Sequence, residues 1–501
     1  MKSNLLILIS AFLLYVTLGI FGACHHELWL DEAHHWLLAR DSTSIQNLIY
    51  NARYDGHPLV WELILFLASG ISQNIVVVQV VHLAIAFTSA FLFLKYSPFK
   101  TIQKALIIFG YYFLFEYAVI CRSYGLTWLL LILLSILFTR DKRNYLLITI
   151  VLFLLANTHL FSLICTIPFF LLLIYERVQE NKSMRFSLAY SLLYLAGISI
   201  SIWQIIPPSD FGFIHLTAHT PWIMKEHLIR SLSLFVKGII YIPDFGSYHF
   251  WNTNYLFTKL KIISGIVSLI TLALPFVCFS RKISFFIFYS GSFGIATILY
   301  VLPLNGVRYL GYSYMLFLVS LWFDKCYKKS SVTFNTNKYI SSVLLWSIFI
   351  IQAFSGVMSY YSDYRFPFSE SKNVADYIKS NPNFQNFKIV VSPGNSGPPI
   401  AAYLKQRLYY PESENWGTFC NWNSCYLANN DSILKKIASA LTPASNKNVL
   451  LITAYDKSKS DSLQNELTSI IGKNYIIESI KKFDQSIIKE ENYTVFQLQN
   501  K

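Results

Sequence analysis

The segment Glu27-Leu-Trp-Leu-Asp31-Glu32-Ala-His34-His35-Trp36 sets two adjacent carboxylates and two histidines directly after an apolar run. A carboxylate held within hydrogen-bond reach of a hydroxyl can take its proton as that hydroxyl attacks. Further along come Arg53-Tyr-Asp55-Gly-His57-Pro58, Arg122-Ser-Tyr124, Asn157-Thr-His159 and Arg308-Tyr309. The planar fork of arginine matches phosphate oxygens, so Arg122 and Arg308 suit a phosphate leaving group. A base together with phosphate-binding cations is what transfer of a group from a phosphate to a hydroxyl requires. Asp31 and His35 are four residues apart and share a face if the segment is helical, with Glu27 one turn earlier. Gly56 and Pro58 mark a bend that carries Asp55 and His57.

Blander readings stand beside these. Arg122 and Arg308 could snorkel or form ordinary ion pairs. His159 could serve packing. Trp29 and Trp36 are expected in an interfacial aromatic belt. The His25-His26 and His34-His35 pairs raise a divalent metal, since ligands four apart occur on helices. No HExxH pattern accompanies them, so the metal stays unknown, and no nucleotide cofactor is implied.

The elements that position these residues follow from composition. The 501 residues are 54% hydrophobic and only 14% charged, which excludes an ordinary soluble domain. Many windows of about 20 apolar residues can each cross a hydrocarbon core of roughly 30 Å. The runs are continuous rather than alternating, which excludes a β-barrel. The net charge of +14 collects in short loops between spans, where orientation signals belong, so nucleic acid is not expected as a partner. The fold class expected is an α-helical polytopic membrane protein of about 11 transmembrane helices plus juxtamembrane helices. A small extracytoplasmic α/β C-terminal domain completes it.

Lys2 and the apolar run Leu5–Ala23 resemble a signal sequence without a cleavage pattern, so an uncleaved first span is expected. The basic loops around Lys95–Lys104, Arg140–Arg143, Glu176–Arg185, Arg281-Lys282 and Asp324–Lys338 then all fall on the cytoplasmic side. This threading puts loops 24–74 and 207–258 outside. It requires the short apolar stretch Pro58–Ser72 to be juxtamembrane or re-entrant rather than spanning. A membrane domain over 1–358 and an extracytoplasmic α/β domain over 359–501 result. In the latter, Ser371–Ser380 has helical spacing, with Val374, Ala375, Tyr377 and Ile378 on one face. Lys388-Ile-Val-Val391 and Asn448–Thr453 read as strands. Cys420 and Cys425 are close enough in sequence for a disulfide if the tail lies outside the cytoplasm.

In order, these elements resemble the GT-C class of membrane glycosyltransferases. The nearest likeness is to the branch of protein O-mannosyltransferases and lipid A aminoarabinose transferases. The resemblance rests on Asp31-Glu32 after the first span, Asp55 to Pro58 before a juxtamembrane helix, and Arg122 and Tyr124 opening a span. Thr158-His159 closes another, and Arg308-Tyr309 opens a late one. It covers about residues 1–325 and leaves the tail aside.

The resemblance implies a polyprenyl-phosphate sugar donor and transfer outside the cytoplasmic membrane to a hydroxyl of a lipid, glycan or protein. Asp31 would be the base, with Glu32 orienting it or the acceptor. Asp55 and His57 would lie on the acceptor side. Arg122, Tyr124, His159, Arg308 and Tyr309 would lie around the donor phosphate. An inverting enzyme is expected. A flippase or transporter of a lipid-linked sugar would need the arginines but no base, and a scaffold on the same fold would need neither. Transporters often show internal repeats, and none is evident here.

Overall fold

The structure is a computed structural model that describes residues 2–180, 184–211, 225–302, 304, 306–331, 336–425, 430–441, 448–454, 457–471 and 475–500. Helix α1 (Lys2–His25) leads into three short helices, α2 (Leu30–Arg40), α3 (Ile45–Ala52) and α4 (Val60–Ser69). The bundle continues through α5 (Val76–Tyr96), α6 (Thr101–Ile108), α7 (Ser123–Thr139), α8 (Tyr145–Ala156), α9 (Leu160–Gln179) and α10 (Met184–Ile205). Then come α11 (Lys225–Ile239), α12 (Tyr255–Lys259), α13 (Lys261–Cys278), α14 (Lys282–Val301), α15 (Val307–Cys326) and α16 (Lys338–Arg365). Among the described residues, six helices are long and apolar enough to cross a membrane by length and composition. They are α1 from Ser3, α5, α9, α10, α14 and α16. The chain is an integral membrane protein of mostly helical fold.

The ten residues of α4 rise about 15 Å, half a hydrocarbon core. Its first turn is tied to the ends of two other helices. Leu59 N–H donates to Gln204 Oε1 at 3.0 Å and Val60 N–H to the Asn157 carbonyl at 3.2 Å. Helix α15 is buried on every side from Tyr309 to Phe323, as expected of the central helix of a bundle.

Two parts of the chain are less regular than their composition suggests. The apolar stretch near 104–120 is broken: α6 stops at Ile108, and Tyr111–Glu116 forms a π-helical turn. Gly110 sits at the break, where a side chain would press on the Ile107 carbonyl and on Gln352. The loop expected over 207–258 also contains α11, which packs against α14 and α15. Ser231 Oγ donates to the Ala296 carbonyl at 2.6 Å, and Ser313 Oγ to the Leu234 carbonyl at 3.1 Å.

The last membrane helix runs past residue 358 to Arg365, and the α/β fold follows it. Helix α17 (Ser371–Ser380) buries Val374, Ala375 and Ile378. Next come β1 (Lys388–Ser392), α18 (Gly397–Leu404), β2 (Leu408–Tyr410), β3 (Asn415–Gly417), α19 (Trp422–Cys425) and α20 (Asn430–Leu441). They are followed by β4 (Val449–Thr453), α21 (Lys457–Ile471), β5 (Tyr475–Phe483) and β6 (Tyr493–Asn500). The sheet order is β3-β2-β1-β4-β6-β5. Strand β1 pairs in parallel with β2 and β4, with Val390 opposite Leu451, and the outer pairs are antiparallel. Cys420 and Cys425 are bonded to each other.

The near-continuous apolar runs of β1 and β4 reflect burial on both faces. On one face Val390, Val449 and Leu451 pack with Ile437, Leu441 and Leu467 of α20 and α21. On the other, Ile389, Val391, Leu450 and Ile452 join a core that includes Trp36, Leu37 and Leu38 of α2 and Trp61 and Leu65 of α4. The sheet and the short helices after α1 therefore share one core.

Candidate active site

The site is assembled around α2. Asp31 lies in its first turn, and two arginines from distant helix starts converge on it. Asp31 Oδ2 is 3.1 Å from Arg122 Nη1 and 3.2 Å from Arg308 Nη2. Burial would raise the Asp31 pKa, but the guanidiniums of Arg122 and Arg308 outweigh it and bring the carboxyl down to about 2. The Asp31 side chain keeps 17% exposure, against 3% for Arg122.

Aromatic faces hold the arginines. The Arg308 guanidinium lies 5.0 Å from the Trp29 ring, 5.6 Å from Trp251 and 5.0 Å from Tyr309. Trp251 is fixed in turn, because its Nε1 donates to Glu116 Oε2 at 3.1 Å. The π-helical turn thus serves the site, since it ends on Glu116. Arg122 precedes α7, and the first turn of that helix is closely packed. A side chain at Gly125 would meet His82 Nε2 at 2.8 Å, and His82 Nε2 lies 3.0 Å from the Arg122 carbonyl.

Tyr124, His159 and Tyr309 complete one wall. The His159 ring is 5.1 Å from Tyr124, 5.7 Å from Tyr309 and 4.9 Å from His57. His159 caps α9 by accepting the Phe161 N–H on Nδ1, which leaves Nε2 buried without a hydrogen-bond partner. His57 Nδ1, Asp55 Oδ2, Tyr124 Oη and Arg308 Nε are likewise buried and unpartnered among the described residues. Buried polar groups are nearly always paired in folded proteins, so a cluster left unpaired suits a site built for a polar ligand.

The bend at 55–58 places the last two sequence candidates. Gly56 has φ +66°, a left-handed conformation that glycine adopts without strain. Asp55 Oδ1 lies 3.2 Å from His34 Nε2. His57 faces His159 on one side and His35 on the other, at 5.8 Å. Burial and then the positive charge of Arg122 lower the pKa of both His35 and His57, to about 3 and about 4, so both imidazoles are neutral.

Glu32 faces away from this space. Its Oε2 accepts the Trp29 N–H at 3.1 Å and meets His26 Nε2 at 3.1 Å, while Oε1 accepts the Cys121 N–H. His26 Nδ1 reaches Asp363 at 3.0 Å, so one imidazole joins two carboxylates. Burial opposes its charge, but Asp363 and Glu32 together raise its pKa well above the usual value. Glu32 is thus fixed as a cap on α2 and a brace to the segment before Arg122.

Several neighbours of Asp31 depart from expectation. Trp29 and Trp36 are not in an interfacial belt: both are buried, Trp29 in the bundle core against Trp251 and Trp36 beneath α18 and α4. His34 and His35 are buried too, paired with Asp55 and Glu62, with His35 Nδ1 2.6 Å from Glu62 Oε1. Glu27 is not on the helix, which starts at Leu30; its carboxylate accepts the Phe368 N–H at 3.0 Å. Among the described residues, no three His, Cys, Asp or Glu side chains are grouped so as to hold a metal ion.

Four contributors had no sequence signal. Trp251 comes from a loop, and His82 from the middle of α5. Glu491 belongs to the C-terminal domain, and its Oε1 accepts the Leu30 N–H at 2.6 Å. Tyr403 Oη of α18 accepts the Leu28 N–H at 2.8 Å. The helix that carries Asp31 is therefore capped from the far end of the chain.

No protein-family model matches the chain, and no curated protein sequence does either. Solved structures do match its fold. ArnT from Cupriavidus metallidurans bound to undecaprenyl phosphate aligns over 98% of this chain and 97% of its own, with TM-score 0.52 and 9% identity. The apo state of the same protein aligns over 99% and 98%, with TM-score 0.52 and 10% identity. ArnT is a lipid A aminoarabinose transferase of the GT-C class, and at this identity the likeness is one of fold. The bundle, the short helices after the first span and the C-terminal sheet domain together make an ArnT-like GT-C fold.

Proposed function

We propose that this protein is a membrane glycosyltransferase that moves a sugar from a polyprenyl-phosphate donor to an acceptor hydroxyl at the extracytoplasmic face. The observation that carries the reading is the single carboxylate of Asp31 between the buried Arg122 and the half-buried Arg308, at the rim of a cluster of unpartnered polar atoms. ArnT, which shares the fold, was solved bound to undecaprenyl phosphate, and this supports a lipid phosphate as the donor's carrier.

In this mechanism the donor phosphate takes over Arg122 and Arg308, and Asp31 is released from them. The acceptor hydroxyl then attacks the anomeric carbon. Its oxygen–carbon bond forms, the carbon–phosphate oxygen bond breaks, and the proton passes to Asp31. Polyprenyl phosphate leaves with the bonding electrons, its charge balanced by the two guanidiniums. Tyr309, His159 and Tyr124 wall the sugar, while Asp55 and His57 face the acceptor. A retaining route needs a second carboxylate as nucleophile about 5 Å from the first. Glu32, the adjacent carboxylate, is committed to backbone N–H groups and His26, which favours single displacement and inversion.

The orientation is read from the sequence, whose basic loops the positive-inside rule assigns to the cytoplasmic side. The test is sugar transfer by Asp31→Asn, followed by mass spectrometry of envelope glycans and lipids in cells that lack the native protein. Complete restoration of the missing sugar by this variant would exclude Asp31 as the base.

A further inference from the structure

The opposite end of the membrane domain holds a cavity of about 600 Å³. Helix α9 connects the two ends. It begins after His159 beside Asp31 and carries Tyr175, a wall of this cavity, about 24 Å further along. The cavity has two distinct parts. Leu171 and Leu172 of α9 and Ile283 and Phe286 of α14 form an apolar slot. Lys282, Lys329, Ser330 and Ser331 form a polar mouth.

The mouth is rigidly built. Arg281 Nη1 donates to the Ser330 carbonyl at 2.6 Å, and the Ile283 N–H donates to Ser330 Oγ at 3.3 Å. Asp324 accepts from the Ser280 and Arg281 N–H groups, each at 2.8 Å. The buried Glu176 takes Tyr327 Oη at 2.6 Å, Tyr145 Oη at 3.1 Å and Arg143 Nε at 3.2 Å. The carboxylates near the mouth are thus already engaged, Glu180 by Lys329. Lys282 has no counter-ion among the described residues, so the mouth retains uncompensated positive charge.

The slot opens sideways. Leu171 is 49% and Phe286 39% exposed on the bundle surface. Both lie on helices that are long and apolar enough to span, so this surface faces lipid. A cationic, hydroxyl-lined mouth over an apolar slot between membrane helices fits one chemistry: a headgroup phosphate above an acyl chain.

We propose that this cavity binds an anionic phospholipid of the membrane leaflet opposite the Asp31 site. The headgroup phosphate lies against Lys282, Lys329 and Ser330, and an acyl chain lies along Leu171, Ile283 and Phe286. The assignment is independent of the chemistry at Asp31. A free anion could satisfy the mouth but would leave the slot unused.

The test uses the purified full chain in mild detergent, with phosphatidylglycerol and phosphatidylcholine as probes and native mass spectrometry as the readout. The wild type is expected to retain phosphatidylglycerol at least fivefold more than phosphatidylcholine. Lys282→Ala, at an exposed position, is expected to cut that preference by at least half, and Lys282→Ala with Lys329→Ala to abolish it. Lys379→Ala, a lysine of the C-terminal domain, should change nothing. Glycerol phosphate and inorganic phosphate at millimolar concentration should leave the bound lipid in place. An unchanged preference in the double variant, or displacement of the lipid by inorganic phosphate, overturns the proposal.

Discussion

At Asp31, binding and chemistry make opposite demands, and Asp31→Asn separates them. In the free protein this carboxylate is the counter-ion of Arg122 and Arg308, at 3.1 and 3.2 Å. Burial opposes its ionisation, yet the two guanidiniums bring its pKa from 3.8 to about 2. Discounted for its partial exposure, that preference is worth about 2 kcal/mol. A donor phosphate must compete with this interaction for the same two arginines. Asparagine removes the competing charge and keeps the shape. The affinity for undecaprenyl phosphate should therefore rise, by up to roughly thirtyfold. Turnover should fall by roughly 10²–10⁴-fold, because the proton acceptor is gone.

The buried Arg122 and half-buried Arg308, left without a counter-ion, destabilise the free variant by about 3–5 kcal/mol at the most. Undecaprenyl phosphate should recover much of that loss and raise the melting temperature of the variant more than that of the wild type. Lipid binding and thermal melting on one purified preparation measure both quantities. If Asp31→Asn binds undecaprenyl phosphate more weakly than the wild type, the competition argument fails, whatever happens to turnover.

Other residues give separate tests. Arg308→Lys keeps the charge but loses the fork and its contacts with Trp29, Trp251 and Tyr309, so affinity for undecaprenyl phosphate should fall roughly tenfold or more, measured by the same binding assay. Gly56→Ala meets no atom within 4 Å, so its effect is purely conformational: about 1 kcal/mol of stability lost in a thermal melt, with the Asp55–His57 bend relaxed. Burial raises the Glu491 pKa from 4.5 to about 8, so the folded state favours its protonated form. The associated stability is present in full below about pH 4.5 and is lost as the pH rises to about 8. Melting temperatures of the wild type should decline over that window, and Glu491→Gln should flatten the decline.

The sequence was most readable where polarity conflicted with its surroundings. Asp31, Arg122, His159 and Arg308 stood out because each is a polar residue at the edge of an apolar run, and they meet in space. Gly56 and Pro58 announced their bend, and Val374, Ala375 and Ile378 announced α17 by period. What could not be read is what depends on long-range packing. Trp29 and Trp36 have the composition of an interfacial belt, and only distant partners bury them, Trp251 beside Trp29 and the C-terminal domain's α18 over α2. Glu32 and Asp31 are neighbours of identical charge, and the direction of each side chain is set by partners as distant as Cys121 and Arg308. Trp251 and Glu491 lie in segments with no motif. The break after α6 is signalled by a single glycine within an otherwise continuous apolar run.

The shared core of α2 and the sheet has a consequence for the order in which the protein comes into being. Leu30 and its cap Glu491 are 461 residues apart, and Leu28 and Tyr403 are 375 apart. At a synthesis rate of roughly 5–20 residues per second, the cap follows the helix by roughly 20 to 90 s. During that interval the helix bearing Asp31 lacks the Glu491 carboxylate at its first N–H and, until residue 404 is made, the helix α18 that packs on it. A residue made near the end of the chain completes the start of the first short helix, so a chain interrupted before it carries every sequence motif of the site without the geometry that gives them use.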